Sequence, residues 1–136
     1  MSNGSNHSSW GLTVLRVVVG IVFLKHGWQK LFVWHFAGVA GFLGHLGVPL
    51  PMVAAVVLSL VEFLGGAALL LGVFTRWAAW LLAIDMVVAI LLVHLKNGFF
   101  MPQGYEFALT LLAANIALAL TGPGVASVDA TLAKKG

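Results

Sequence analysis

Most of the residues that could do chemistry in this sequence stand inside apolar stretches. Arg16, Lys25, His26, Gln29, Lys30, Glu62, Asp85, His94, Glu106 and Asn115 all sit within or beside runs of Leu, Val, Ile, Ala and Phe. Burying an ionisable group at mid-bilayer costs about 3 kcal/mol or more, so such groups turn toward a bundle interior and seek partners there. An acid and a base at one depth neutralise each other, and Arg16, Glu62, Asp85 and Lys25 are candidates for intramembrane ion pairs. His26, Lys30, Glu106, His94 and Gln29 can donate hydrogen bonds or exchange protons near one membrane face. There they would hold the polar head of a molecule whose tail is apolar. The plainer reading of that second group is snorkelling to lipid headgroups. His26 and His94 as axial haem ligands form a further reading, for which two histidines alone are thin ground. No metal site is expected.

The elements that must position these residues are helices. Of the 136 residues, 61% are hydrophobic and only 8% are charged. A soluble domain carries roughly 25% charged residues, so this surface needs lipid as its solvent. Spanning a bilayer takes about 20 apolar residues in helix. Four stretches qualify, at about 10–33, 51–74, 76–95 and 105–121. They predict an all-α membrane protein, an antiparallel bundle of four transmembrane helices in one domain over 10–124. Polar tails of 1–9 and 125–136 flank it. Ser8 or Ser9 is a plausible N-cap for the first helix, and Pro51 opens the second where its missing N–H costs nothing. Gly122-Pro123-Gly124 terminates the fourth. The connection near Thr75 and Arg76 is so short that it forces a hairpin. Segment 34–50 is too short and too apolar for a water-soluble loop, and is read as a short interfacial or re-entrant helix.

At 1.5 Å per residue the polar groups fall into two layers. Measured from the side of the termini, Arg16 and Asn115 lie at roughly 9 Å, Asp85 at about 13 Å and Glu62 at about 16 Å. Lys25, His26, Glu106 and His94 lie at roughly 22–27 Å, with Gln29 and Lys30 just above them. Arg16, Gly20, Phe23, Gly27 and Lys30 share one helix face, and Ala55, Ser59, Glu62 and Gly66 share another. Small residues on such faces let backbones approach closely. Asp85 and His94, nine residues apart, point oppositely unless their helix bends.

Other classes are excluded or disfavoured. The net charge of +3 is scattered, so nucleic acid is not an expected partner. The absence of cysteine removes disulfides, thiolate metal sites and covalently attached haem. The first apolar segment lacks basic residues before it and is interrupted by Arg16, so it is read as a retained helix and not a signal peptide. With four spans both termini share a side. Arg76, Lys134 and Lys135 against Lys30 and Lys96 place that side in the cytoplasm of a multi-pass cell-membrane protein.

Several motifs then fall in a familiar order. They are His26-Gly27-Trp28-Gln29-Lys30, Glu62-Phe63-Leu64-Gly65-Gly66 with Gly72 and Thr75-Arg76, Asn97-Gly98-Phe99, Gly104-Tyr105-Glu106, and Thr121-Gly122-Pro123-Gly124 with Ser127 and Asp129. Over about residues 12–129 the chain resembles the DoxX family. The resemblance implies four transmembrane helices and a redox connection, since the family takes its name from a membrane subunit linked to thiosulfate oxidation with quinone as acceptor. Many members carry only a provisional oxidoreductase label, and other branches of the superfamily act as membrane cargo or assembly factors. Three functions therefore stand open. One is a quinone-binding subunit, not necessarily catalytic by itself, served by a soluble or membrane redox partner, with His26, Lys30 and Glu106 as donors and proton carriers. The second is a non-enzymatic scaffold or small-molecule binding protein. The third is a small transporter acting as a homo-oligomer.

Overall fold

The computed structural model describes the backbone of residues 2–136 and the side chains of residue 4 and residues 6–136. The first long helix, α1, spans Ser2–Gln29 and continues into a π-helical turn at Lys30–Trp34. A positive φ at His35 then redirects the chain into α2, His35–His45. Helix α3 spans Pro51–Leu71 and α4 spans Thr75–Ala89. A second π-helical turn, Ile90–His94, extends α4, and a short 3-10 turn comes next at Leu95–Asn97. Helix α5 spans Glu106–Thr121 and α6 spans Val128–Lys135. The described residues contain helices and turns and no strand. Asn6–His45, Pro51–Leu71 and Thr75–Asn97 are long and apolar enough to cross a membrane, and Glu106–Thr121 is a shorter apolar helix.

The distribution of polarity is that of a protein dissolved in lipid. Arg16, Glu62 and Asp85 are 1%, 5% and 7% exposed, while Trp77 and Phe100 are 74% and 76% exposed. Val14, Val18, Ile21, Leu64, Ile84 and Leu91 line the outside. In water so continuous an apolar surface would drive association.

Glycines set the packing of α1 on α3. A Cβ at Gly20 would meet Leu70 and Gly66 backbone atoms, one at Gly27 would collide with the Phe63 backbone, and one at Gly66 with that of Leu24. These contacts bring the two backbones together and bury Val19, Phe23 and Leu69. The small-residue faces expected from the sequence thus meet each other inside the bundle. Helix α4 packs on both α3 and α5, and α2 folds back onto α3 through Val39, Ala40, Leu43 and Ala55. The α3–α4 hairpin is closed by Gly72 in the left-handed conformation. There Val73 N–H donates to the Ala68 carbonyl at 2.9 Å and Gly72 N–H to Leu69 at 3.2 Å, the paired bonds that finish a helix when a glycine comes after it.

Two terminal features differ from the sequence reading. Helix α1 does not start at a Ser8 or Ser9 cap. Ser8 lies inside it and donates to the Gly4 carbonyl, because lengthening an existing helix is easy and nothing in 2–9 breaks it. Residue 1 lies outside the described residues. The C-terminal tail, for its part, carries a helix and is tied to the bundle. Ser127 caps α6 by accepting from Ala130 N–H at 3.0 Å, and both Asp129 carboxylate oxygens accept at 2.9 Å from Phe74 and Thr75 N–H at the start of α4. Both ends of the chain lie at the same end of the bundle, since Ala126 N–H reaches Thr13 Oγ1.

Gly66→Val is expected to separate α1 from α3 and to abolish a monodisperse peak in detergent size-exclusion chromatography. Gly41→Ala, with open space around the added carbon, should elute as the parent does.

Candidate functional site

The polar residues separate into two sites at opposite ends of the bundle. Arg16 occupies the end that holds the termini. Its Nε donates to the Pro123 carbonyl at 2.8 Å, and Nη1 donates to Leu69 and Leu70 carbonyls at 2.6 and 2.9 Å. Nη2 donates to the Ala126 carbonyl. The expected ion pair between Arg16 and Glu62 or Asp85 is therefore not formed. Leu69 and Leu70 are in the last turn of α3, at the negative end of the helix dipole, and the Leu69 carbonyl, which already accepts from Gly72 N–H, offers its second lone pair. The irregular stretch after α5 offers two more carbonyls. Backbone oxygens take the guanidinium's hydrogen bonds, and the Asp129 carboxylate adds its field from farther away.

At the other end α1, α2, α3, α4 and α5 enclose a cavity of about 380 Å³. Its walls are mostly apolar, with Phe23, Val39, Leu58, Met86, Phe107 and Leu111 among them. Its polar groups are His26, Lys30, Glu62, Asp85 and His94. Lys30 Nζ donates to Glu62 Oε2 at 2.7 Å and lies 5.8 Å from the centre of the Trp34 ring. Asp85 stands in the field of both Glu62 and Lys30, and its Oδ2 is buried without a hydrogen-bond donor. The sequence estimate put Lys30 above the upper layer and Glu62 in the lower one. The long lysine stem and the π-helical start at Lys30 bring the ammonium down to the carboxylate.

Both histidines reach this cavity. His26, at its rim, has Nδ1 2.8 Å from the Val22 carbonyl, and His94 has Nδ1 3.0 Å from the Gln103 carbonyl. A carbonyl can only accept, so Nδ1 carries the proton in each ring and Nε2 is left to meet a ligand. Asp85 and His94 line one cavity because the π turn at Ile90–His94 supplies the bend that a regular helix would lack.

Four further residues lie elsewhere. Glu106 does not join His26 and Lys30. Its Oε1 accepts from Met101 N–H at 2.9 Å and fastens the loop before α5, whose N-terminus favours a negative charge. Among the described residues Lys25 has no ion-pair partner, and it is exposed, its Nζ 5.6 Å from the Trp28 ring centre. Gln29 does not line the cavity. Asn115 is fully buried and donates to the Leu111 carbonyl of its own helix. Conversely, the sequence reading missed the α2 wall at Phe42 and Leu43 and the loop wall at Met101 and Pro102. Only the apolar character of 34–50 hinted at the first. Among the described residues no group of three or more His, Cys, Asp and Glu is placed to hold a metal.

The DoxX family model matches residues 11–95. The chain belongs to the DoxX family. It is 32% identical to an uncharacterised protein of Haemophilus influenzae over 139 residues, which covers 99% of this chain and 100% of the relative. It is 37% identical over 122 residues to CatD of Bacillus subtilis, whose name carries a provisional oxidoreductase assignment, with 88% of this chain and 84% of the relative covered. It is 34% identical to the inner membrane protein YqjF of Escherichia coli over 131 residues, covering 92% and 94%. No solved structure matches significantly. With its lipid-facing surface, this DoxX protein is an integral membrane protein.

Arg16→Met is expected to lower stability by about 3 kcal/mol, since it strips a charged donor from several buried carbonyls. Thermal unfolding monitored by tryptophan fluorescence in detergent measures this. Lys25→Ala should unfold with the parent protein.

Proposed function

We infer that this DoxX protein is the quinone-binding subunit of a membrane oxidoreductase. The observation that carries the reading is the cavity, which is apolar on most sides and holds the Lys30–Glu62 pair and Asp85 among its polar groups. Small-molecule sites are typically concave, about 300–1,000 Å³, mostly apolar, and oriented by a few polar groups. An apolar ring and the start of its tail suit the walls. The Lys30 ammonium suits a ring carbonyl oxygen, and the accepting Nε2 atoms of His26 and His94 suit the hydroxyl groups of the reduced ring. The provisional oxidoreductase name of the CatD relative supports the same class. Reduction of a quinone takes two electrons and two protons. The chain has no cysteine to ligate an iron–sulfur centre, so the electrons are assigned to a redox centre in a partner protein. This chain would bind and orient the ring and exclude water from it.

The scaffold reading loses its main support. Gly20, Gly27 and Gly66, which a partner helix would have needed, are covered by the contact between α1 and α3. The transport reading loses Arg16 as a charge station, because four carbonyls hold it. The termini are assigned to the cytoplasmic side from the Lys and Arg count.

The test begins with organic extraction of protein purified in mild detergent and mass spectrometry of the extract. Near-stoichiometric quinone is expected. A short-chain quinone should quench tryptophan fluorescence saturably, since Trp34 lines the cavity. Lys30→Met should weaken that binding about tenfold, the equivalent of one charged hydrogen bond of about 1.4 kcal/mol. An empty extract together with strictly linear quenching would sink the proposal. C-terminal fusions should be active with a cytoplasmic fluorescent reporter and inactive with a periplasmic phosphatase; the reverse pattern overturns the orientation.

A further inference from the structure

The cavity holds more acid than its base can neutralise. Lys30 is bound to Glu62 at 2.7 Å, and Asp85 is a second carboxyl beside them, contributed by a third element. Oδ2 of Asp85 is fully enclosed and receives no hydrogen bond. The other ionisable groups of the cavity are His26 from α1 and His94 from the second π turn. Each already directs its Nδ1 at a backbone carbonyl, of Val22 and of Gln103. Arg16 is engaged at the far end of the bundle. Two ionised carboxylates beside one ammonium would leave a net negative charge in apolar surroundings, which desolvation strongly disfavours. A proton held between the two carboxyls removes that charge and gives the enclosed oxygen the donor it lacks.

We propose that Glu62 and Asp85 share one exchangeable proton, with Lys30 as the fixed counter-charge, and that Asp85 is the residue through which the cavity exchanges this proton with a bound ligand. The ligand half rests on the quinone reading above. In that setting Asp85 gives its proton to a ring oxygen as two electrons arrive from the partner's redox centre, and a second proton enters from water at the rim. Glu62 and Asp85 then regain their shared proton from the same water. Lys30, besides its bond to the ring, holds the Glu62 carboxyl in place beside Asp85.

Infrared spectroscopy of the purified full chain reads this without turnover. The chain has only four acidic side chains. Asp129 and Glu106 accept backbone N–H bonds as carboxylates do. A carbonyl-stretch band of a protonated carboxyl at neutral pH, shifted in D2O, therefore reports the cavity pair. The band should disappear in Asp85→Asn, and also in Glu62→Gln, where Asp85 becomes the sole counter-ion of Lys30. Lys30→Met should strengthen it, because both carboxyls then take a proton. Loss in two variants and gain in the third cannot come from misfolding alone. A wild-type spectrum without the band, or a band unchanged in Asp85→Asn, overturns the shared proton. Addition of a short-chain quinone should shift the band. Saturable quinone quenching with an unmoved band overturns the role of Asp85 toward the ligand. A band that behaves as expected while quinone fails to bind upholds the shared proton and removes the quinone reading instead.

Discussion

In hydrocarbon a buried charge must bring its partners with it, and Arg16 does so with backbone instead of an acid. Its guanidinium joins three parts of the chain at once. It rises from α1, takes carbonyls from the last turn of α3, and takes two more from the segment after α5. The α3 carbonyls lie at a helix end where acceptor capacity is left over, so a cation there meets spare lone pairs and the helix dipole. Five donors in a planar fork can serve several oxygens, which an ammonium on a flexible stem would do less well. Asp129 completes the same end by receiving the free N–H groups at the start of α4. One end of the bundle is thereby closed by hydrogen bonds, with the Asp129 carboxylate also in the field of Arg16.

That closure decides what the acids do. Had Arg16 paired with Glu62 or Asp85, both charges would have been fixed in structure. With Arg16 met by carbonyls, Glu62 is left to Lys30 and Asp85 is left without a cation of its own. The stabilising chemistry and the reactive chemistry are therefore separated along the bundle axis. A buried ion pair such as Lys30–Glu62 contributes little to stability once its desolvation is counted, so its retention on a cavity wall points to function more than to folding.

The spans were legible because lipid exposure writes itself into composition. Long apolar runs, a proline at the start of α3 and Gly122-Pro123-Gly124 after α5 mark helix limits by local rules. The pairing of charges was not legible, for two reasons. Backbone carbonyls leave no trace in a sequence, so Arg16 called for a directly bonded acid, where it has four carbonyls and only the more distant field of Asp129. Depth counted at 1.5 Å per residue also assumes straight α-helices, and it fails where π turns begin at Lys30 and Ile90. Glu106 illustrates the same limit. Its type suggested proton exchange, while its position in the first turn of α5 made it a fastener for the Met101 loop. The inward direction of α2 depended on the positive φ at His35, a non-glycine residue that no composition rule would have singled out.

The site's location is set by where close packing stops. From Gly20 to Gly27 the backbones of α1 and α3 are held together by glycines, and nothing can enter between them. Beyond Gly27 the close approach ends and a π turn begins at Lys30, while α4 turns π-helical at Ile90. A π turn carries an extra residue within its hydrogen-bonded ring, so it rotates the next residues about the axis and widens the helix locally. At both places the rotation brings a cation-forming side chain, Lys30 or His94, to the same cavity. Helix α2, redirected at His35, then covers the gap with Val39 and Leu43. Insertions of this kind disturb regular helical hydrogen bonding, and two of them flanking one cavity are hard to explain by packing, which the glycines alone would have completed.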